Sequence, residues 1–281
     1  MRHFRCVGLL TVVVLTIALT IAGTSFAGTR IDFMSLDKTD PLKVSGMLYL
    51  PENNSKPYPA VVIVHGTTGI DSRGEFYRKS ILQAGIAIFE VDFKTGIYTS
   101  PKDRPSPEAL VALGFAALKE LRKLPAVDPG RIGIMGFSMG GHLTVNTAIE
   151  KNRKLWMGSE KGFAAHAAFY PVCKYIIPKL ENSGSGMTGA PMIIFYGTKD
   201  SYGDGTAVPE FKDLLLKKYK FQVITVEYPG CSHGFNRNAP ALSYYDSAAI
   251  GGKGFMTWDP EAANDSLSRV VAFLRQTLSA K

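Results

Sequence analysis

Residues Ala60 to Val64 read AVVIV, a β-branched apolar run with no polar position in it. A strand with one wet face alternates apolar and polar residues, whereas a strand covered by helices on both faces does not. Runs of the same kind recur at Ile86 to Val91, Ile132 to Met135, Met192 to Tyr196 and Val223 to Tyr228, with helical patterns between most of them. Lys43 to Leu50 alternates like a strand, and the stretch from Pro51 to Pro59, dense in Pro and Asn, reads as a loop. The pattern predicts a helix over Ser106 to Leu124, with proline and acid at its start and Arg122 and Lys123 at its end, and another over Pro260 to Leu278. Such alternation predicts one doubly wound α/β domain around a central, mostly parallel sheet. The gap from Pro171 to Pro191, with SGSG at its centre, is too short for a large cap domain and reads as a mobile loop.

The first residues carry a different pattern. Arg2 and Arg5 precede an apolar run from Val7 to Ala22, and the small residues Ser25 and Ala27 follow at the positions a signal peptidase selects. The run falls short of the ~20 apolar residues that a spanning helix needs. Residues 1–27 therefore read as a secretory signal peptide and 28–281 as the single domain. No cysteine follows the run as a lipid-attachment site and no twin arginine precedes it. The expectation is a periplasmic or extracellular protein without a stable membrane anchor after cleavage.

Composition narrows the function. With 46% hydrophobic and 20% charged residues the chain can fill a sizeable core, which excludes disorder and coiled coil. Three cysteines are too few for a disulfide scaffold, and no CxxC or Cys/His cluster at zinc spacing appears, so no metal is expected. Loss of Arg2 and Arg5 lowers the formal net charge from +8 by two. The basic clusters, Lys151 to Lys154 and Lys217 to Lys220, are short and sit near helix ends, where cations favour the dipole. No nucleic-acid partner is expected.

Chemistry gathers around RIGIMGFSMGG, Arg131 to Gly141: an apolar strand runs into Gly136-Phe137-Ser138-Met139-Gly140 and then into a helical pattern. That is the setting of a nucleophile elbow, a strained turn whose flanking glycines permit close backbone approach. Serine is a weak nucleophile unaided, so a histidine base and an acid to orient it should follow in the order Ser, Asp, His. PMIIFYGTKD places Asp200 beyond a buried strand, and FQVITVEYPGCSHGF places His233 beyond the next. Both lie at the strand edge where open α/β sheets build their sites. Asp204, in the same loop as Asp200, is the competing acid, or a plain turn residue. Of the other histidines after residue 27, His65 shapes the HGTTG loop, and His142 and His166 read as structural. Acyl transfer also needs oxyanion donors, which the amides of Met139 and Thr67 can supply, with Thr68 the neighbouring alternative.

The set HGTTG, VDPGRIGIMGFSMGG, YGTKD and YPGCSHGF resembles the dienelactone hydrolase branch of the α/β-hydrolase superfamily over roughly residues 40 to 275. The resemblance implies an α/β-hydrolase fold, with a mostly parallel eight-stranded sheet and helices on both faces, and Ser138, Asp200 and His233 as the triad. Dienelactone hydrolases carry cysteine at the elbow where this chain has Ser138, which points away from dienelactone itself. The expected reaction is two-step hydrolysis of a carboxylic ester or lactone, small or polymeric, through an acyl-enzyme and without a cofactor. Ile97, Tyr98 and Tyr202, with Tyr175 and Ile176, are the expected lining of the substrate site. Neither Cys173 nor Cys231 occupies an elbow; a disulfide between them that steadies the His233 loop is the hypothesis the sequence carries. Two other readings share the scaffold: a serine peptidase of the prolyl-oligopeptidase-like branch, for which no propeller region precedes the domain, and a non-catalytic binding protein, which usually lacks one of the three residues.

Overall fold

The computed structural model describes residues 28–52, 56–95 and 105–279. The expected signal peptide and the expected lining residues Ile97 and Tyr98 lie outside them. The elements in chain order are β1 (Thr29–Met34), β2 (Lys43–Tyr49), β3 (Tyr58–Val64), α1 (Ser72–Gln83), β4 (Ala87–Asp92), α2 (Pro107–Arg122), β5 (Val127–Phe137), α3 (Met139–Thr147), α4 (Glu150–Met157), β6 (His166–Phe169), α5 (Ile177–Glu181), β7 (Met192–Gly197), α6 (Asp204–Tyr219), β8 (Ile224–Tyr228), β9 (Leu242–Tyr245), β10 (Lys253–Met256) and α7 (Pro260–Leu278). Eight strands form one sheet in the order β1-β2-β4-β3-β5-β6-β7-β8. β1 and β2 run antiparallel, and from β4 to β8 every neighbouring pair is parallel.

Four of the five apolar runs behave as two-sided strands; the fifth, β8, departs from expectation because it is the edge of the sheet and leaves Ile224 exposed. In β3, Val61 and Ile63 pack with Ile81 of α1 and Phe273 of α7, while Ala60, Val62 and Val64 pack with Leu113 and Leu118 of α2. β7 divides the same way, Ile193 and Phe195 towards α7, Met192 and Ile194 towards Phe211 and Leu215 of α6. Period-two side chains thus feed two apolar layers, which is why no polar alternation survives in these segments. The long helices begin on side-chain caps followed by proline: Ser106 accepts the Ala109 amide at 3.0 Å ahead of α2, and Asp259 accepts the Ala262 amide at 2.9 Å ahead of α7.

Three further features depart from expectation. The segment between Pro171 and Pro191 is not an unstructured loop: it forms a 3₁₀ turn over Cys173–Tyr175 and the short helix α5, and Met187 bridges back to Ile149. Its apolar residues Ile176, Ile177 and Leu180 fasten it to the core. Second, Cys173 and Cys231 are free thiols, not a disulfide. Cys173 packs in the apolar layer under α6 and Cys231 in the layer under α7, so the two belong to separate clusters. Third, β9 and β10 pair as a separate two-stranded sheet beyond β8. Among the described residues no helix is long and apolar enough to cross a membrane.

Candidate active site

β3, β5, β7 and β8 are parallel and present their C-terminal ends at one edge, so Thr67, Ser138, Asp200 and His233 converge although they span more than half the chain. Ser138 stands between the last residue of β5 and the first of α3 with φ 56° and ψ −115°, a left-handed conformation that strains any residue with a Cβ. A Cβ on Gly136 would run into the Gly140 backbone, and one on Gly140 into the carbonyls of Val64 and His65. Only glycine at both positions lets the chain turn this sharply with β3 alongside.

His233 Nε2 lies 2.8 Å from Ser138 Oγ, and His233 Nδ1 lies 2.8 Å from Asp200 Oδ2. A carboxylate can only accept, so Nδ1 carries the proton and Nε2 presents its lone pair to the Ser138 hydroxyl. The imidazole is fully buried, held between the Tyr170 ring at 4.6 Å and the Tyr202 ring at 4.4 Å between centroids. The other Asp200 oxygen accepts the Tyr202 amide at 2.7 Å. Asp200, not Asp204, is therefore the acid that meets the histidine.

Asp204 is no turn residue either. It is fully buried in the first turn of α6, where its two oxygens accept the Val172 and Cys173 amides, each at 2.7 Å. Burial and the nearby Asp200 carboxylate push its carboxyl up to about 8, against the two amides that favour the ionised form. Its amide partners include Val172, whose φ of 57° is another left-handed non-glycine position, and Val172 walls the site.

A cavity of about 490 Å³ opens beside Ser138. Thr67 and Met139, the expected oxyanion residues, both line it, and Thr68, the neighbouring alternative, is not among the lining residues. Met139 opens α3, where the first N–H groups have no intrahelical acceptor. Tyr202 and Tyr175 also line the cavity, as expected; Ile176 is buried in the core instead. The Tyr202 hydroxyl donates to Asp246 Oδ2 at 2.8 Å, which ties the wall to the turn that follows β9. His65 does shape its loop: Nδ1 meets the Gly66 carbonyl at 2.6 Å, and Nε2 accepts the Phe93 amide at 3.1 Å. His166 is buried in β6. No cluster of His, Cys, Asp and Glu able to hold a metal occurs among the described residues.

Sequence reasoning missed Arg73, which is 1% exposed beneath the HGTTG loop. Its guanidinium grips Asp71 at 2.6 and 2.8 Å and donates to Thr68 Oγ1 at 3.0 Å and the Tyr170 hydroxyl at 3.3 Å. Burial works against its charge, yet the Tyr170 and Asp71 oxygens hold it protonated, its pKa above that of an ordinary arginine. Tyr170 in turn donates to Asn236 Oδ1 at 2.5 Å, so one buried network joins the loop after β3 to the loop that carries His233. The one signal was an arginine early in a helix of otherwise mixed polarity, which local pattern cannot distinguish from a surface residue.

The dienelactone hydrolase family pattern matches residues 44–278. Esterase FrsA of Vibrio vulnificus is 30% identical over 114 residues, 40% of this chain and 27% of its own. The acetylxylan esterase of Xylanibacter ruminicola is 33% identical over 128 residues, 45% of this chain and 26% of its own. The matched segments thus span about a quarter of those two relatives' length. Among solved structures, propionate-bound esterase 2 of Thermogutta terrifontis superposes with a TM-score of 0.61 at 21% identity, covering 92% of this chain and 97% of its own, a likeness of fold.

Proposed function

The chain belongs to the dienelactone hydrolase family, and from that premise we propose that it is a serine hydrolase of carboxylic esters or lactones, working through an acyl-enzyme on Ser138. The observation that carries this reading is the unbroken chain of contacts from Ser138 Oγ to His233 to Asp200, each link 2.8 Å long. The esterase names of its relatives support the same reaction class.

In the proposed cycle His233 Nε2 takes the Ser138 proton as Oγ attacks the ester carbonyl. The Asp200 carboxylate keeps the imidazole in the required tautomer and offsets the positive charge that forms. The amides of Met139 and Thr67 receive the oxyanion. His233 then passes the proton to the leaving alcohol, and water, deprotonated by the same imidazole, releases the acid and restores Ser138. Residues 1–27 would direct the protein out of the cytoplasm and be removed, leaving Gly28 as the new N-terminus.

The test is hydrolysis of p-nitrophenyl esters from acetate to decanoate by residues 28–281 beside a Ser138→Ala control, with fluorophosphonate labelling of both. Activity and labelling confined to the unsubstituted protein support the reading, and the chain-length profile sizes the cavity. Failure of both would favour a binding protein on the same scaffold. Mass measurement of the secreted protein tests the cleavage site.

A further inference from the structure

One polar group on the cavity wall has no task in the proposed cycle. His142 lies one helical turn after Ser138 on α3, and its ring lines the same cavity. Its Nδ1 meets the Pro171 carbonyl at 3.2 Å. A carbonyl only accepts, so Nδ1 holds the ring proton. Burial pushes the imidazole down to about 4, with the Lys179 ammonium adding to that effect and Glu108 opposing it, so the ring is neutral at neutral pH. Its Nε2 is then an acceptor only, and no second partner meets the ring among the described residues.

Other polar side chains of the cavity each have a partner, and Ser106 Oγ accepts the Ala109 amide at 3.0 Å. Asp246 takes the Tyr202 hydroxyl on one oxygen and the Ala248 amide on the other; Lys179 pairs with Glu108; and the Tyr175 hydroxyl donates to the Ala248 carbonyl. Around them the walls are apolar, with Leu110, Leu143, Pro107 and Val172. An acceptor open to a largely apolar cavity is a recognition device, because a ligand that covers it without supplying a donor leaves a polar atom without a partner.

We propose that His142 Nε2 is a specificity-determining acceptor, and that the cavity takes esters bearing a free hydroxyl a few bonds from the scissile carbonyl. This inference rests on the ester-hydrolase reading above. The hydroxyl can belong to the alcohol part, as in a partly acylated polyol, or to the acyl part, as in a hydroxy-acid ester. Both share the donor chemistry that His142 reads.

The test compares kcat/KM for monoacetates of unbranched diols and for methyl esters of ω-hydroxy acids, each beside its O-methyl ether and its methyl-terminated isostere. The ether fills the same space and accepts but cannot donate. A preference of about tenfold for a hydroxyl ester over both analogues is expected at a favoured length, and the series in which it appears tells the alcohol side from the acyl side. The preference should vanish in His142→Phe, or in His142→Asn should the first variant not be recovered folded, with fluorophosphonate labelling reporting an intact elbow. Ethers and hydroxyl esters cleaved alike by the unsubstituted protein, or a preference that survives in the variants, overturns the role of His142 and leaves the hydrolase standing. An unsubstituted protein that cleaves none of the esters and takes no label overturns both.

Discussion

Asp204 accepts the Val172 amide at 2.7 Å across 32 residues of sequence, and so fixes a cavity wall near Asp200, the carboxylate that meets His233. Asp204→Asn turns one acceptor into a donor facing an N–H. The expected loss is about 1–3 kcal/mol of stability, with KM for the p-nitrophenyl esters rising more than kcat falls, since Val172 lines the cavity and touches no reacting atom. Urea denaturation alongside steady-state kinetics checks both.

Ser138 carries backbone strain at the turn where the proposed cycle places its nucleophile. Ser138→Ala should lower kcat by about 10⁶ if the three residues act as a unit, and Asp200→Asn by about 10⁴ through the wrong tautomer of His233. Ser138→Gly removes the Cβ from a backbone at φ 56° and should raise Tm while abolishing turnover. A calorimetric scan of Ser138→Gly beside Ser138→Ala separates relief of strain from loss of the hydroxyl.

Arg73 joins the loop after β3 to the His233 side. Arg73→Met leaves Asp71 unpaired in a half-buried place and should destabilise the fold by about 3 kcal/mol. Arg73→Lys should recover only part of that, because an ammonium cannot hold both Asp71 oxygens and also reach Thr68 and Tyr170. Chemical denaturation of the two variants measures the difference.

His166 titrates in a direction that opposes stability in acid. Burial pushes its imidazole from 6.5 to about 3, so as pH falls below 6.5 the unfolded chain takes up a proton that the folded chain refuses. Stability is therefore lost as pH drops from 6.5 towards 3, with a slope approaching about 1.4 kcal/mol per pH unit from this residue. His166→Leu should flatten the profile of unfolding free energy against pH in that window.

Both thiols should resist modification until the chain unfolds. Burial raises the Cys173 thiol well above the ordinary range, and burial with the Asp259 carboxylate pushes Cys231 up to about 12. Ellman titration of residues 28–281 should find two thiols in denaturant and next to none in the native protein.

What the sequence disclosed follows from which interactions are local. The positions of Ser138, Asp200 and His233 were legible because each sits just past an apolar strand, and the strand signal is a run of adjacent residues. The two-sided burial of β3 and β7 was legible for the same reason. The Arg73 to Tyr170 bond joins residues 97 apart, and the Tyr170 to Asn236 bond residues 66 apart; nothing near either partner announces the other. β1 and β9 escaped notice because most of their residues are exposed or half-exposed, so they carry little of the periodicity that burial imposes, and β10 because it alternates over only four residues with a glycine at one of its two buried positions. The same distance effect hid the choice between Asp200 and Asp204, which a few residues of chain separate and only the folded position of His233 decides.

The cavity is walled largely by segments that are not strands: the start of α2, the turn after β6, and the turn after β9. Ser138, Asp200 and His233 hang instead on the ends of β5, β7 and β8. α3 with His142 and the loop with Tyr202 share their segments with Ser138 and Asp200, but the remaining wall segments do not, so substitutions there can reshape which ester fits while those two residues stay unaltered. A library confined to the start of α2 and the turns after β6 and β9 would explore substrate range with Ser138, Asp200 and His233 held constant.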